Sequence, residues 1–182
     1  MSELVHTEKD LQQLIYNKLS HYFYVEWEVW SSCRTRRIDL VAVHKSDIAT
    51  RYAIGIEIKK FNTKTGADIA KWIQQAQTYS NLVWSNYGRI MVIVAPQMSG
   101  YVFEEGQLTD KGHIKDGRPT AHHNFSTFLG QFGVGEFQTY IHTSYPDYRQ
   151  HKRTRIVFRG SPIWDETYDE FNYNAYDRVC KR

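Results

Sequence analysis

Apolar residues recur at helical spacing at Leu11, Leu14, Ile15 and Leu19. Ahead of them Thr7 can cap a helix, and Glu8 and Asp10 put carboxylates into its first turn, where the helix dipole favours them. From Tyr22 to Trp30 the chain is aromatic and β-branched, the composition of a strand. Ser31, Ser32 and Cys33 predict a turn, after which Arg36 to Val43 (RRIDLVAV) predicts a second strand. Tyr52 to Lys59 (YAIGIEIK) alternates strictly and predicts a third. Between Asp68 and Val83 the period returns to that of a helix, with Ile69, Ile73, Ala76 and Val83 on one face. Arg89 to Ala95 (RIMVIVA) is a continuous apolar run stopped by Pro96, as expected of a buried central strand.

The order is helix, three strands, helix, strand. Short connections favour an antiparallel meander for the three strands, and the later helix and strand make a right-handed crossover onto it. The predicted class is α/β, an αβββαβ unit whose mixed central sheet is flanked by helices. Beyond Pro96 the pattern weakens. Residues 100–124 read as a long loop, strand signals return at Glu136–His142 and Thr154–Arg159, and the acidic, tyrosine-rich stretch from Asp165 to Val179 reads as a helix. The expected organisation is a core over 1–100 and an accessory region over 101–182, packed together as one compact unit.

Composition narrows the class without changing it. The chain has 182 residues, 41% hydrophobic and 24% charged, which is ordinary globular composition. No run of about 18 apolar residues is present, so no membrane partner is expected. The N-terminus lacks a basic run followed by an apolar stretch, and the two cysteines, Cys33 and Cys180, have no metal-ligand or redox spacing. Free thiols and a cytoplasmic location are the expectation. The net charge of +3 permits nucleic-acid binding without arguing for it.

The chemistry lies in the second and third strands. Alternation sends Ile54, Ile56 and Ile58 to one face and Gly55, Glu57 and Lys59 to the other, so a carboxylate and an ammonium share a side, ~7 Å apart along the strand. Asp39 lies inside an apolar strand, with Ile38 and Leu40 expected to face away from it. Burying a lone carboxylate there is costly unless it is paired or binds a metal. If the strands are neighbours, Asp39 and Glu57 converge on one cation, and two carboxylates with carbonyl and water oxygens suit Mg²⁺ or Mn²⁺.

With Asp39 followed eighteen residues later by Glu57-Ile58-Lys59, the sequence resembles the PD-(D/E)XK nuclease superfamily. Glu8 in TEKDLQQLI matches the first-helix glutamate of the branch containing archaeal Holliday-junction resolvases. Gln75 and Tyr79 in QAQTY match the Gln-x-x-x-Tyr helix motif of RecB-like and lambda-exonuclease-like members. The resemblance spans residues 7–95; Ile38 stands where many members carry proline before the aspartate. It implies a restriction-endonuclease-like core that hydrolyses phosphodiester bonds in DNA. Asp39, Glu57, the Ile58 carbonyl and Glu8 would hold Mg²⁺ or Mn²⁺. Lys59 would orient or deprotonate the attacking water or neutralise the phosphate, and Gln75 and Tyr79 would hold Lys59, a water or the scissile strand. Two further readings are a structure-selective junction resolvase, which would act as a homodimer, and an inactive nuclease fold serving as a binding module.

Basic residues gather around these positions: Arg34, Arg36 and Arg37 before Asp39, and Lys60 and Lys64 after it. A second group comprises Arg149, His151, Lys152, Arg153 and Arg155. Both are expected to contact phosphates of DNA. Trp84 and Tyr101 are candidates for stacking on bases, whereas His113, His122, His123 and His142 show no zinc spacing.

Overall fold

The computed structural model describes residues 7–46, 52–59, 66–95, 121–143 and 150–180. Helix α1 (Glu8–Leu19) opens on a capping box: Thr7 Oγ1 accepts from the Asp10 amide at 3.1 Å, and the Asp10 carboxylate accepts from the Thr7 amide at 2.7 Å. Then come β1 (Phe23–Trp30), β2 (Arg37–His44), β3 (Ala53–Ile58), α2 (Gly66–Ser80) and β4 (Met91–Ala95). Helix α3 (Ala121–Gln131) follows, with β5 (Val134–Thr143), β6 (Gln150–Phe158), β7 (Ser161–Asp165), β8 (Glu170–Phe171) and α4 (Tyr173–Cys180).

All eight strands form one mixed sheet in sequence order. β3, β4 and β5 run parallel, because the helical segments α2 and α3 intervene between them; every other neighbouring pair is antiparallel. The described strands beyond residue 100 therefore extend the same sheet, and the strand signals at Glu136–His142 and Thr154–Arg159 correspond to β5 and β6.

The sheet curls. A register shift between Ile156 and Val157 bends β6. β7 then comes back over β1, so that Trp164, fully buried, meets the rings of Tyr22 and Phe23 at centroid distances of 5.2 and 5.1 Å. The inner face holds Leu40, Ile54, Ile56, Ile58, Ile93 and Phe158, closed by Leu11 and Ile15 of α1 and by Tyr176 of α4. Tyr176 Oη donates to the Ala53 carbonyl at 2.6 Å and accepts from the Met91 amide at 3.3 Å, tying β3 to β4. The outer face holds Ile38, Val41, Val92 and Val94 beneath Trp72, Ala76 and Tyr79 of α2 and Leu129 of α3. Among the described residues, no helix is long and apolar enough to cross a membrane.

Three expectations need correction. α2 ends at Ser80, its buried stripe is Trp72, Ala76 and Tyr79, and Val83 lies outside it, 48% exposed. Two aromatic residues outweighed the aliphatic period. The segment read as one helix from Asp165 to Val179 is a strand end, a turn, the short β8 and then α4. Asp165 Oδ1 accepts from the Thr167 amide at 2.8 Å, an Asx turn that breaks any helix there. Within the stretch read as loop, residues 121–124 begin α3; residues 100–120 lie outside the described set.

Candidate active site

Asp39 sits where the β2–β3 ladder ends. Pairing runs from Val43↔Ala53 only to Leu40↔Ile56. Beyond it the Asp39 side chain takes over the role of a backbone acceptor: its Oδ2 receives the Ile58 amide at 2.7 Å. Strict alternation also breaks here, contrary to expectation. Leu40 packs on the inner face but Ile38 on the outer, against Gly55, where a Cβ would come within 2.6 Å of Ile38 Cδ1. In β1, across from this break, Glu28 adopts φ +52. The irregularity turns Asp39 toward the strand end instead of into the core.

β3 behaves as its alternation predicts, with its three isoleucines on the inner face. Glu57 faces outward under α2 and is only 2% exposed. Its Oε1 accepts from Gln75 Nε2 at 2.6 Å and from Lys59 Nζ at 3.2 Å. Gln75 Nε2 also lies 2.9 Å from Tyr79 Oη, as residues four apart on a helix can. The Gln-x-x-x-Tyr pair thus braces Glu57. Glu8, at the start of α1, approaches Lys59 Nζ to 3.7 Å, so it points into the same cleft. One turn along α1, Gln12 Nε2 donates to Asp39 Oδ1 at 3.0 Å.

The charges are in conflict. Burial pushes the Glu57 carboxyl up, and the Asp39 carboxylate adds to the effect; Lys59 only partly opposes it, leaving the group at about 8. Asp39 is also raised by burial, against the Ile58 amide and the Lys59 charge. Burial disfavours the Lys59 ammonium, but Glu57, Glu8 and Asp39 outweigh this and raise it, so Lys59 is a firm cation.

Among the described residues no group of three or more His, Cys, Asp or Glu side chains is arranged as a metal cage. Asp39 and Glu57 nevertheless fit a hard cation. Both are oxygen donors raised by burial and by the nearby Glu8 charge, Glu57 also by that of Asp39, and Mg²⁺ commonly takes one or two carboxylates while keeping several waters.

The basic residues divide. Arg36 borders an open cleft of about 460 Å³ along α2, with Lys71, Gln74, Gln75, Thr78 and Tyr79. Arg37 pairs with Glu28 at 3.2 Å, and Arg34 is exposed with φ +56. Arg153 turns to Glu166 at 3.5 Å, while Arg155 Nε donates to Gln138 Oε1 at 3.0 Å. Lys60, Lys64, Arg149, Tyr101 and His113, and the side chains of His151, Lys152, His122, His123, His142 and Cys180, lie outside the described residues. Cys33 is a free, exposed thiol. Trp84 cannot stack on a base: it is 1% exposed and its Nε1 donates to the Tyr79 carbonyl at 3.2 Å.

The sequence reading missed Gln12, Lys71, Gln74 and Thr78, and a buried carboxylate, Glu136. Glu57 pairs with Val94, and Val94 with Glu136, so the two glutamates share a row of the sheet ~10 Å apart. Helical spacing from Glu8 was the available signal for Gln12, and an acid within an apolar parallel strand the signal for Glu136. No protein-family model, curated protein or solved structure matches the chain.

Proposed function

We propose that this protein is a divalent-metal-dependent nuclease of the PD-(D/E)XK type that hydrolyses phosphodiester bonds in DNA. One observation carries the reading: the Asp39 carboxylate is bonded to the amide of Ile58, the residue between Glu57 and Lys59. That contact brings two carboxylates and an ammonium together at the C-terminal end of a parallel strand, where α/β sheets commonly bind ligands. The order α1, three antiparallel strands, α2 and a parallel fourth strand supports the αβββαβ core.

Asp39, Glu57 and the Ile58 carbonyl would hold Mg²⁺ or Mn²⁺. Such an ion, when bound, activates water and stabilises the anionic transition state. Gln12 and Gln75 fix the two carboxylates from opposite helices, so little reorganisation is required of them. Lys59 presents its charge beside both carboxylates and suits the phosphate oxygens or the attacking water. Glu8 acts through Lys59, holding its ammonium from the α1 side. Arg36 and Lys71 suit the flanking phosphates along α2.

The test is cleavage of linear, circular and branched DNA by purified protein with Mg²⁺, Mn²⁺ or chelator. Wild type is expected to cut with either metal and not with chelator, and Asp39→Asn to lose cleavage. Lys59→Ala should bind metal yet turn over slowly, and Lys59→Arg should not fully rescue it. Equal cleavage by Asp39→Asn and wild type would assign the activity elsewhere.

A further inference from the structure

From the geometry of β1 we infer a stacking platform for unpaired bases, so that the substrate presents single-stranded nucleic acid beside the site. The inference rests on the nuclease reading for the identity of the ligand. Of the five tryptophans, Trp72, Trp84 and Trp164 are at most 2% exposed, whereas Trp27 and Trp30 are 36% and 48% exposed. Both exposed rings lie in β1, in the part of the strand that faces the Asp39 break.

The backbone puts the two rings on one side. Val25 packs with the inner cluster and Val29 with the outer, although residues four apart in a regular strand share a face. The left-handed Glu28 makes the reversal. It returns Trp30 to the α1 side with Trp27, ~10 Å along the strand. There Trp27 stacks on Tyr16 of α1, with centroids 4.8 Å apart. Tyr16 lies one helical turn beyond Gln12, which holds Asp39, so the ring pair adjoins the carboxylates.

Charge complementarity identifies the occupant. The Arg37 guanidinium lies over the Trp30 ring, 5.6 Å from its centroid, and Trp30 is exposed. Exposed rings interleaved with cations are the chemistry that grips a single strand: bases stack while the cations take phosphates. Two acids on β1 are already engaged: Glu28 with Arg37, and Glu26, which accepts from Tyr87 Oη at 2.6 Å. Pairing with a second copy is disfavoured at the Trp30 end of this edge, where the 83–88 segment is already bonded to it. The Ser32 amide donates to the Val83 carbonyl at 2.8 Å, and the Ser85 amide to the Trp30 carbonyl at 3.1 Å.

The test measures binding and cleavage separately on the full chain. In chelator, oligothymidylate and a blunt duplex of equal length are titrated while following tryptophan fluorescence and the anisotropy of labelled DNA. Wild type should bind the single strand more tightly than the duplex, with quenching, since two tryptophans are accessible. Trp30→Ala should weaken single-strand binding about ten-fold and leave duplex binding unchanged, and Trp30→Phe should retain most of it. Circular dichroism confirms folding of each variant. Single-strand affinity that is no greater than duplex affinity, or that is unchanged in folded Trp27→Ala and Trp30→Ala, overturns the platform. So does a Trp30-dependent dimer in sedimentation. Cleavage with Mg²⁺ on the same preparations separates the two readings: loss of the platform with cleavage retained leaves the nuclease standing. Trp30-dependent single-strand binding without cleavage does the reverse.

Discussion

Two buried glutamates, Glu57 and Glu166, are held in opposite ways by the two ends of α1's surroundings. Glu166, 7% exposed, lies near the C-terminal end of α1 and is surrounded by donors. Lys18 Nζ, the Thr154 amide and Thr154 Oγ1 all reach its carboxylate at 2.7 Å, and Arg153 at 3.5 Å. Burial opposes its charge, but these bonds win and hold it below the ordinary glutamate range. Glu57 has one amide and one ammonium, and a second carboxylate nearby. Its group is pushed up to about 8. The comparison separates a carboxylate whose donors complete a structure from one whose charge is left under-compensated. Such under-compensation is characteristic of functional sites.

The largest effects should come from exchanging charge for an amide at each place. Glu57→Gln is expected to lower cleavage by ~1000-fold or more while keeping thermal stability near neutral pH, because the amide replaces a carboxyl that burial already holds protonated when no metal is bound. Glu166→Gln should do the opposite: a stability loss of about 1–3 kcal/mol by denaturant unfolding, with turnover per folded molecule preserved. Equal destabilisation by the two would erase the distinction. Next in size is Gln75→Ala, which releases Glu57 from α2. We expect ~10- to 100-fold lower activity or metal affinity with the fold intact, read by single-turnover cleavage and metal titration.

A separate effect falls on the pH dependence of stability, and its sign differs between the two. Glu57 is raised from an ordinary value of ~4.3 to about 8, so the folded state holds a proton that the unfolded chain has released. Metal-free stability should therefore fall as pH rises through that window, and Glu57→Gln should flatten the slope. Glu166 is lowered, so its contribution is present above the ordinary value and is lost as pH falls through its folded-state value. Glu166→Gln should flatten the acid limb only. Urea unfolding across pH in chelator measures both.

The first half of the sheet was legible because each element had a clean period: the alternation of Ile54, Ile56 and Ile58 places them on one face as expected. The candidate carboxylates and lysine were legible because charge inside apolar strands is costly. What was not legible came from tertiary geometry. Nothing local announces that β2 changes face at Asp39, since that depends on Glu28 across the ladder. The partners of Arg153 and Arg155, Glu166 and Gln138, are distant from one another in sequence. The stripe of α2 was only partly read: Ala76 is buried as expected and Ile69 and Ile73 pack beside it, but Trp72 and Tyr79 carry the rest of the burial and Val83 none.

That the strands lie side by side in the order of the chain bears on how the molecule is made. On a ribosome, each strand emerges next to a partner already synthesised, and none has to be threaded between two that are paired. The cost falls at β4. Its five residues, Met91–Ala95, are all buried in the finished sheet, yet its second neighbour, β5, is translated nearly forty residues later. Until then a flat apolar edge waits uncovered, and it is there that a nascent chain would most need a chaperone.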